Sequence, residues 1–230
     1  HVDEKRRRRW RWATPVLVIA CLAIAVWQAL MAPAERYALL QSWGTVPAEL
    51  RFDFSALFGG TGLRLFSALF VHADWTHLFG NLLFLGLFGA GVERALGSVR
   101  LLTLFLVAGA AANLFAALMS PLTNAPIIGS SGAVSALIGA YVLLFPTSHL
   151  GVILPLGLYF QLVRVPAIHL IGIWLLFQVL ETVGSRSGAV AWWAHVFGFV
   201  NGLFLALTLR PWLFRRDARM VCEQREVSSE

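Results

Sequence analysis

The sequence is short of charge. Asp, Glu, Lys and Arg make up 13% of its 230 residues, whereas 58% are hydrophobic and the mean hydropathy is +0.73. A soluble domain carries about 25% charged residues, so there is too little polar surface here to cover a water-facing core. Cysteine is equally scarce. Cys21 lies in an apolar stretch and Cys222 in a polar tail, which excludes a disulfide scaffold. The H-E-x-x-H pattern of a metalloprotease is missing, and no Cys/His cluster suggests zinc, so no metal or other cofactor is implied. The nine prolines avoid the interiors of the long apolar windows. No charged residue falls at the middle of those windows, as a transporter or channel would require.

What is abundant is the apolar run. A spanning helix needs about 20 apolar residues. Six windows qualify: 15–31, the stretch between Asp74 and Glu93, the stretch from Arg100 to Ser120, 129–145, 166–183 and 190–209. The turn cluster at 120–126 divides the third from the fourth, while Pro146 and Arg210-Pro211 act as stops. Residues 12–34 are uncharged and exceed the roughly 7–15 residues of a signal-peptide core, so a retained anchor is expected. The start at His1 rather than Met is compatible with a trimmed or tagged chain.

The net charge of +6 could suggest nucleic acid, but the basic residues cluster at 5–11 and 210–219 and flank apolar spans. They form a topology signal, so no nucleic-acid partner is expected. With six spans and both termini inside, 14 of the 18 Lys and Arg residues fall on the inner side. A seventh span through 147–165 would carry the 210–219 cluster outside, and Pro155 and Arg164 interrupt that stretch. It is therefore read as an inner loop lying on the membrane. The outer loop at 33–74 holds Phe52, Phe54, Phe58, Phe66 and Phe70, too many aromatics for a solvated loop, and is expected to form short helices against the outer leaflet. Trp43, Trp75, Trp192 and Trp193 fall at outer span ends and Trp10, Trp12 and Trp212 at inner ones, as in an interfacial belt. The fold class is all-α: a polytopic six-helix membrane bundle with a long first outer loop. A basic cytoplasmic segment at 1–13, a membrane domain at 14–210 and a cytoplasmic tail at 211–230 complete the organisation.

Polar groups at membrane depth are costly and therefore informative. The second span opens with His77 and Asn81, the fourth with Gly129-Ser130-Ser131-Gly132, and the sixth carries His195, Gly198 and Gly202. These three helices share one direction, so all four polar groups sit near outer ends. A neutral serine needs a positioned base, and a histidine can take its proton and return it to the leaving amine. No Asp lies inside a span, and Glu93 and Glu181 fall at span ends, so Ser131 and His195 would act as a dyad. The oxyanion would be met by the Ser131 backbone N–H, His77 and Asn81. Gly132, with the G-x-x-x-G face of Gly198 and Gly202, would let the fourth and sixth helices approach closely.

At these residues the sequence closely resembles the rhomboid family of intramembrane serine proteases. That family carries H-x-x-x-N, G-x-S-G and A-H-x-x-G-x-x-x-G in this order, matched here by His77…Asn81, Gly129-Ser130-Ser131-Gly132 and Ala194-His195…Gly198…Gly202. The stretches 64–72 and 132–141 are also similar, and the resemblance covers about 63–205. It implies a six-transmembrane-helix rhomboid-like bundle, with Ser131 as nucleophile, His195 as general base and acid, and His77 with Asn81 as oxyanion donors. Substrates would be single-pass membrane proteins with small residues at the cut and helix-destabilising residues nearby. A minimal chain of this kind suits a bacterial plasma (inner) membrane, with the site open to the outside. Two positions depart from the family: Leu63-Arg64 stands for its Trp-Arg pair, and Ser135 stands where an aromatic often follows the nucleophile. Neither removes a catalytic group.

Taken singly, these residues have plainer roles. Serine beside glycine lets helices touch, and Asn81 could bond another helix for under ~2 kcal/mol. His149 and His169 are assigned to interfacial roles, and His72 to fixing the outer loop. The main rival is an inactive rhomboid-like scaffold that binds transmembrane helices without cutting them.

Overall fold

Helices form in all six apolar windows. The computed structural model describes residues 10–50, 59–119, 122–156, 159–184 and 192–209, with backbone only at 153–156, 160 and 181–184. The basic residues at 5–9, the aromatics Phe52, Phe54 and Phe58, the Ser120-Pro121 turn and the tail at 211–230 lie outside the described residues. In chain order the helices begin with α1 (Ala13–Ala29), α2 (Pro33–Trp43), α3 (Pro47–Leu50) and α4 (Gly60–Ser67). There follow α5 (Trp75–Phe84), a π-helical turn (Leu85–Gly89), α6 (Ala90–Leu96), α7 (Ser98–Met119), α8 (Ser131–Leu144) and α9 (Ala167–Gly184). The last, α10, is Trp192–Leu209. Three helical stretches are long and apolar enough to cross a membrane: Trp75–Leu96, Ser98–Met119 and Trp192–Leu209. The apolar helices Ala13–Ala29, Ser131–Leu144 and Ala167–Leu180 are shorter.

The element that departs from an all-α fold is an antiparallel hairpin, β1 (His149–Leu156) with β2 (Tyr159–Pro166), in register from His149 opposite Pro166 to Leu156 opposite Tyr159. It replaces the expected inner loop. The stretch is rich in Val, Ile and Leu, which suit extended backbone. Pro155 bars a helix interior but is tolerated on the edge strand of a two-stranded ribbon.

The helix ends are set by particular groups. The carboxylate of Glu93 accepts from the backbone N–H of Ala13 (2.8 Å) and Thr14 (3.1 Å) and from the Ser98 hydroxyl (2.6 Å). It thereby neutralises the positive end of α1, which has no side-chain cap of its own. Asp74 caps α5 by accepting from the His77 N–H at 2.8 Å. Gly97, at φ 87°, turns the chain between α6 and α7 in a conformation that other residues rarely adopt.

The centre of the bundle is α8. Residues 132–141 are all buried, against α7 on one side and α10 on the other. At three glycines α8 and α10 approach too closely for a side chain. A Cβ on Gly198 would strike the Gly132 carbonyl, one on Gly202 the Ala136 carbonyl and one on Gly139 the Phe199 carbonyl. Around it Leu17, Leu85, Phe88, Leu101 and Phe105 join its own Leu137 in the main core.

The outer loop is stitched to the segment before α8. Thr45 and Ile127 exchange backbone hydrogen bonds at 3.0 and 2.8 Å, and the Gly129 N–H reaches the Ala68 carbonyl at 2.8 Å. The loop does form short helices, α2 to α4. Arg64 is paired with Glu49 at 2.5 Å, and Leu63 is exposed.

Candidate active site

The site begins at Gly129. Its φ of 101° turns the chain sharply into α8, and its missing side chain leaves room for another group. A Cβ there would lie 2.6 Å from the His77 ring and 3.4 Å from the Asn81 amide nitrogen. The backbone just before Ser131 therefore rests on the pair that α5 presents at four-residue spacing. On the other side, a Cβ on Gly132 would lie 3.4 Å from the Ala194 carbonyl, the residue next to His195. Ser131 sits between these contacts, half-buried, as the first residue of α8. Its own N–H belongs to the first turn, where no preceding helical carbonyl accepts it.

Asn81 is buried, and its side-chain N–H₂ has no hydrogen-bond partner among the described residues. Leaving a buried donor unpaired costs about 1–3 kcal/mol. Such a group is uncommon in folded proteins, and here it lies beside the start of α8. Ser135 donates to the Ser131 carbonyl at 2.7 Å, a bond within α8.

His195 is held from the other direction. Its Nδ1 lies 2.7 Å from Oε1 of Gln178 on α9, and the Trp192 ring stands edge-on to it at 5.4 Å. Sequence reasoning passed over Gln178. The signal was available, since it is a polar residue in the middle of the apolar run of α9.

Among the described residues, the hydrogen bond between a serine hydroxyl and an imidazole is made by Ser130 and His72, at 3.4 Å, and not by Ser131 and His195. His72 Nδ1 faces the Phe70 carbonyl at 3.3 Å. A carbonyl only accepts, so Nδ1 carries the proton and Nε2 accepts from Ser130. This pair is sealed: Ser130 is fully buried and His72 is 2% exposed. Gln28 of α1 grips the His72 backbone at 3.3 and 3.4 Å. The expected loop-fixing role of His72 thus holds, from a buried position and not from the surface. Burial, reinforced by the neighbouring His77, pushes the His72 pKa down to about 4 despite the Phe70 carbonyl and Asp74. Its ring also meets that of His77 edge-on at 5.2 Å, so a neutral, inert imidazole braces a site residue. Among the described residues no three of His, Cys, Asp and Glu gather as a metal site would need.

A family model described as the Rhomboid domain matches residues 59–212. "Inactive rhomboid protein 1" of Drosophila melanogaster is 28% identical over 148 residues, 64% of this chain and 10% of that protein. "Rhomboid-like protein 11, chloroplastic" of Arabidopsis thaliana is 44% identical over 77 residues, 34% of this chain and 27% of that protein. "RHOMBOID-like protein 4" of the same plant is 28% identical over 164 residues, 69% of this chain and 38% of that protein. The chain thus spans well under half the length of each of these relatives.

Proposed function

The chain belongs to the rhomboid family, and from that premise we propose that it is an intramembrane serine endopeptidase that cuts other membrane proteins in or near their transmembrane segments. The observation that carries this reading is the seat of Ser131. One flanking glycine rests on His77 and Asn81, the other on the residue beside His195.

In the proposed reaction His195 takes the proton of the Ser131 hydroxyl as its oxygen attacks the scissile carbonyl, then delivers that proton to the leaving amine. Water, activated by the same imidazole, releases the acyl group. The unpaired amide of Asn81, His77 and the Ser131 N–H meet the oxyanion, and one such donor is typically worth about 10²–10³ in rate. The ground state bears the cost of the empty amide, and the transition state relieves it.

The length of α8 supports a recessed site. Its 14 residues extend about 21 Å, against a hydrocarbon core of about 30 Å. If the far end of α8 meets the inner surface, Ser131 lies about 9 Å below the outer one, by the same figures. Water must reach it from outside, and a substrate helix must unwind to expose its carbonyl. This reading includes six spans, both termini cytoplasmic, a membrane domain at 14–210 and a bacterial plasma membrane.

An inactive scaffold is the second reading, favoured by the name of the fly relative. That name describes the fly protein; this chain keeps Ser131 and His195. The purified chain in detergent, given a panel of membrane-anchored peptides, should cleave at least one. Ser131→Ala and His195→Ala should lose activity by at least the roughly 10²–10⁴ that a general base contributes. A serine-directed fluorophosphonate should label wild type and Ser130→Ala but not Ser131→Ala. Undiminished cleavage by Ser131→Ala would refute the protease mechanism, and a wild type that neither cuts nor labels would make the chain a scaffold.

A further inference from the structure

Among the described residues, the side-chain partner of His195 is Gln178: its oxygen lies 2.7 Å from Nδ1, and it is a buried residue 17 positions earlier on the neighbouring α9. We propose that Gln178 is the positioning residue of this site, holding the His195 imidazole in one orientation and one tautomer. The proposal rests on the Ser131–His195 reading above and deepens it.

The argument is one of donors and acceptors. An amide oxygen can only accept, and a neutral imidazole carries a single N–H. The contact therefore places the proton on Nδ1 and leaves the Nε2 lone pair as the base. In the other tautomer Nε2 would carry a proton and could take none from a serine. An imidazole in apolar surroundings with no partner on Nδ1 would divide its time between the two forms and turn about its Cβ–Cγ bond. Gln178 restricts both movements, and Trp192 limits the ring from its edge.

A neutral amide also fits its surroundings. A carboxylate would stabilise the imidazolium more strongly, but burying its charge among apolar helices is costly while the histidine is neutral. Proton balance is preserved. The serine proton moves from Oγ to Nε2 and on to the leaving amine, the Nδ1 proton stays in place, and Gln178 neither gains nor loses one.

The test uses the full chain in detergent with a membrane-anchored peptide, comparing wild type, Gln178→Met, Gln178→Glu, Ser131→Ala and His195→Ala. Gln178→Met, similar in volume but without an acceptor amide, should lower kcat by roughly 10- to 100-fold, taking as a guide the loss seen when a metal-bound histidine is deprived of its outer partner, with KM changed by less than about twofold. The acid limb of its kcat–pH profile should move to lower pH, because the imidazolium has lost a partner. Gln178→Glu restores an acceptor, so it should recover most of the lost kcat and move the acid limb to higher pH. Wild-type kcat with an unmoved acid limb in Gln178→Met would overturn the proposal. Should that variant fail to fold, an unmoved limb in Gln178→Glu overturns it instead. Full turnover by Ser131→Ala or His195→Ala marks a different failure, that of the dyad itself.

Discussion

The two serines at the start of α8 show how neighbouring residues of one type acquire opposite roles. Ser130 is enclosed with His72, while Ser131, the next residue of the same turn, is half-buried. The motif pointed to Ser131, and burial supplies the reason: a nucleophile must be reached. His72 makes its own prediction. An unfolded histidine titrates near pH 6.5, whereas the folded one takes its proton only near pH 4. The unfolded chain therefore binds more protons between those values, and stability is full above about pH 6.5 and falls as pH drops towards 4. The thermal midpoint of the wild type in detergent should decline from pH 7 to pH 5. His72→Gln should be less stable at pH 7 but show a flatter decline. An identical slope in the two proteins would assign the pH dependence to other groups. None of this was legible in the sequence, because burial of His72 depends on Gln28 and Ser130, 44 positions before it and 58 after it in the chain.

Helix existence, by contrast, was written in the apolar runs, and so were the glycines that bring α8 against α10. Gly198 and Gly202 face the carbonyls of Gly132 and Ala136, so a methyl group has nowhere to go. Gly202→Ala should destabilise the fold by about 1–3 kcal/mol, the usual cost of overpacking, and lower cleavage by displacing His195 from Ser131. Gly172→Ala on α9 is the control, since a Cβ there meets nothing within 4 Å. Equal midpoints for these two variants would show that the α8–α10 contact yields more easily than its geometry implies. The hairpin β1–β2 was missed because it lacks a period: apolar residues occupy both faces, and only backbone pairing distinguishes it from a loop. Glu93 was noted merely as a span end. Its service to the N-terminus of α1, some 80 positions away, needed the packed helices.

At the scale of the whole molecule, charge bears on sidedness. Fourteen of eighteen basic residues on one side make the six-span topology with inner termini the one that charge favours. The two cysteines offer a direct assay. Cys21 is buried, so Cys222, outside the described residues, should be the site that reacts. In right-side-out vesicles a membrane-impermeant maleimide should leave Cys222 unlabelled until the membrane is opened. A cysteine introduced at exposed Leu122, between α7 and α8, should react at once. Labelling of both positions from the same side would overturn the topology, and with it the placing of the site at the outer surface.

The sequence by itself determined the membrane-type composition, the six apolar windows, the order of the serine and histidine motifs and the small residues at their helix contact. These follow from local chemistry: transfer of side chains out of water, and backbone that glycine alone permits. The tertiary structure decided which serine is enclosed, which amide is left unpaired and which group stands behind His195. Those depend on what meets in space, and a hydrogen bond between α9 and α10 leaves no period or spacing in the chain.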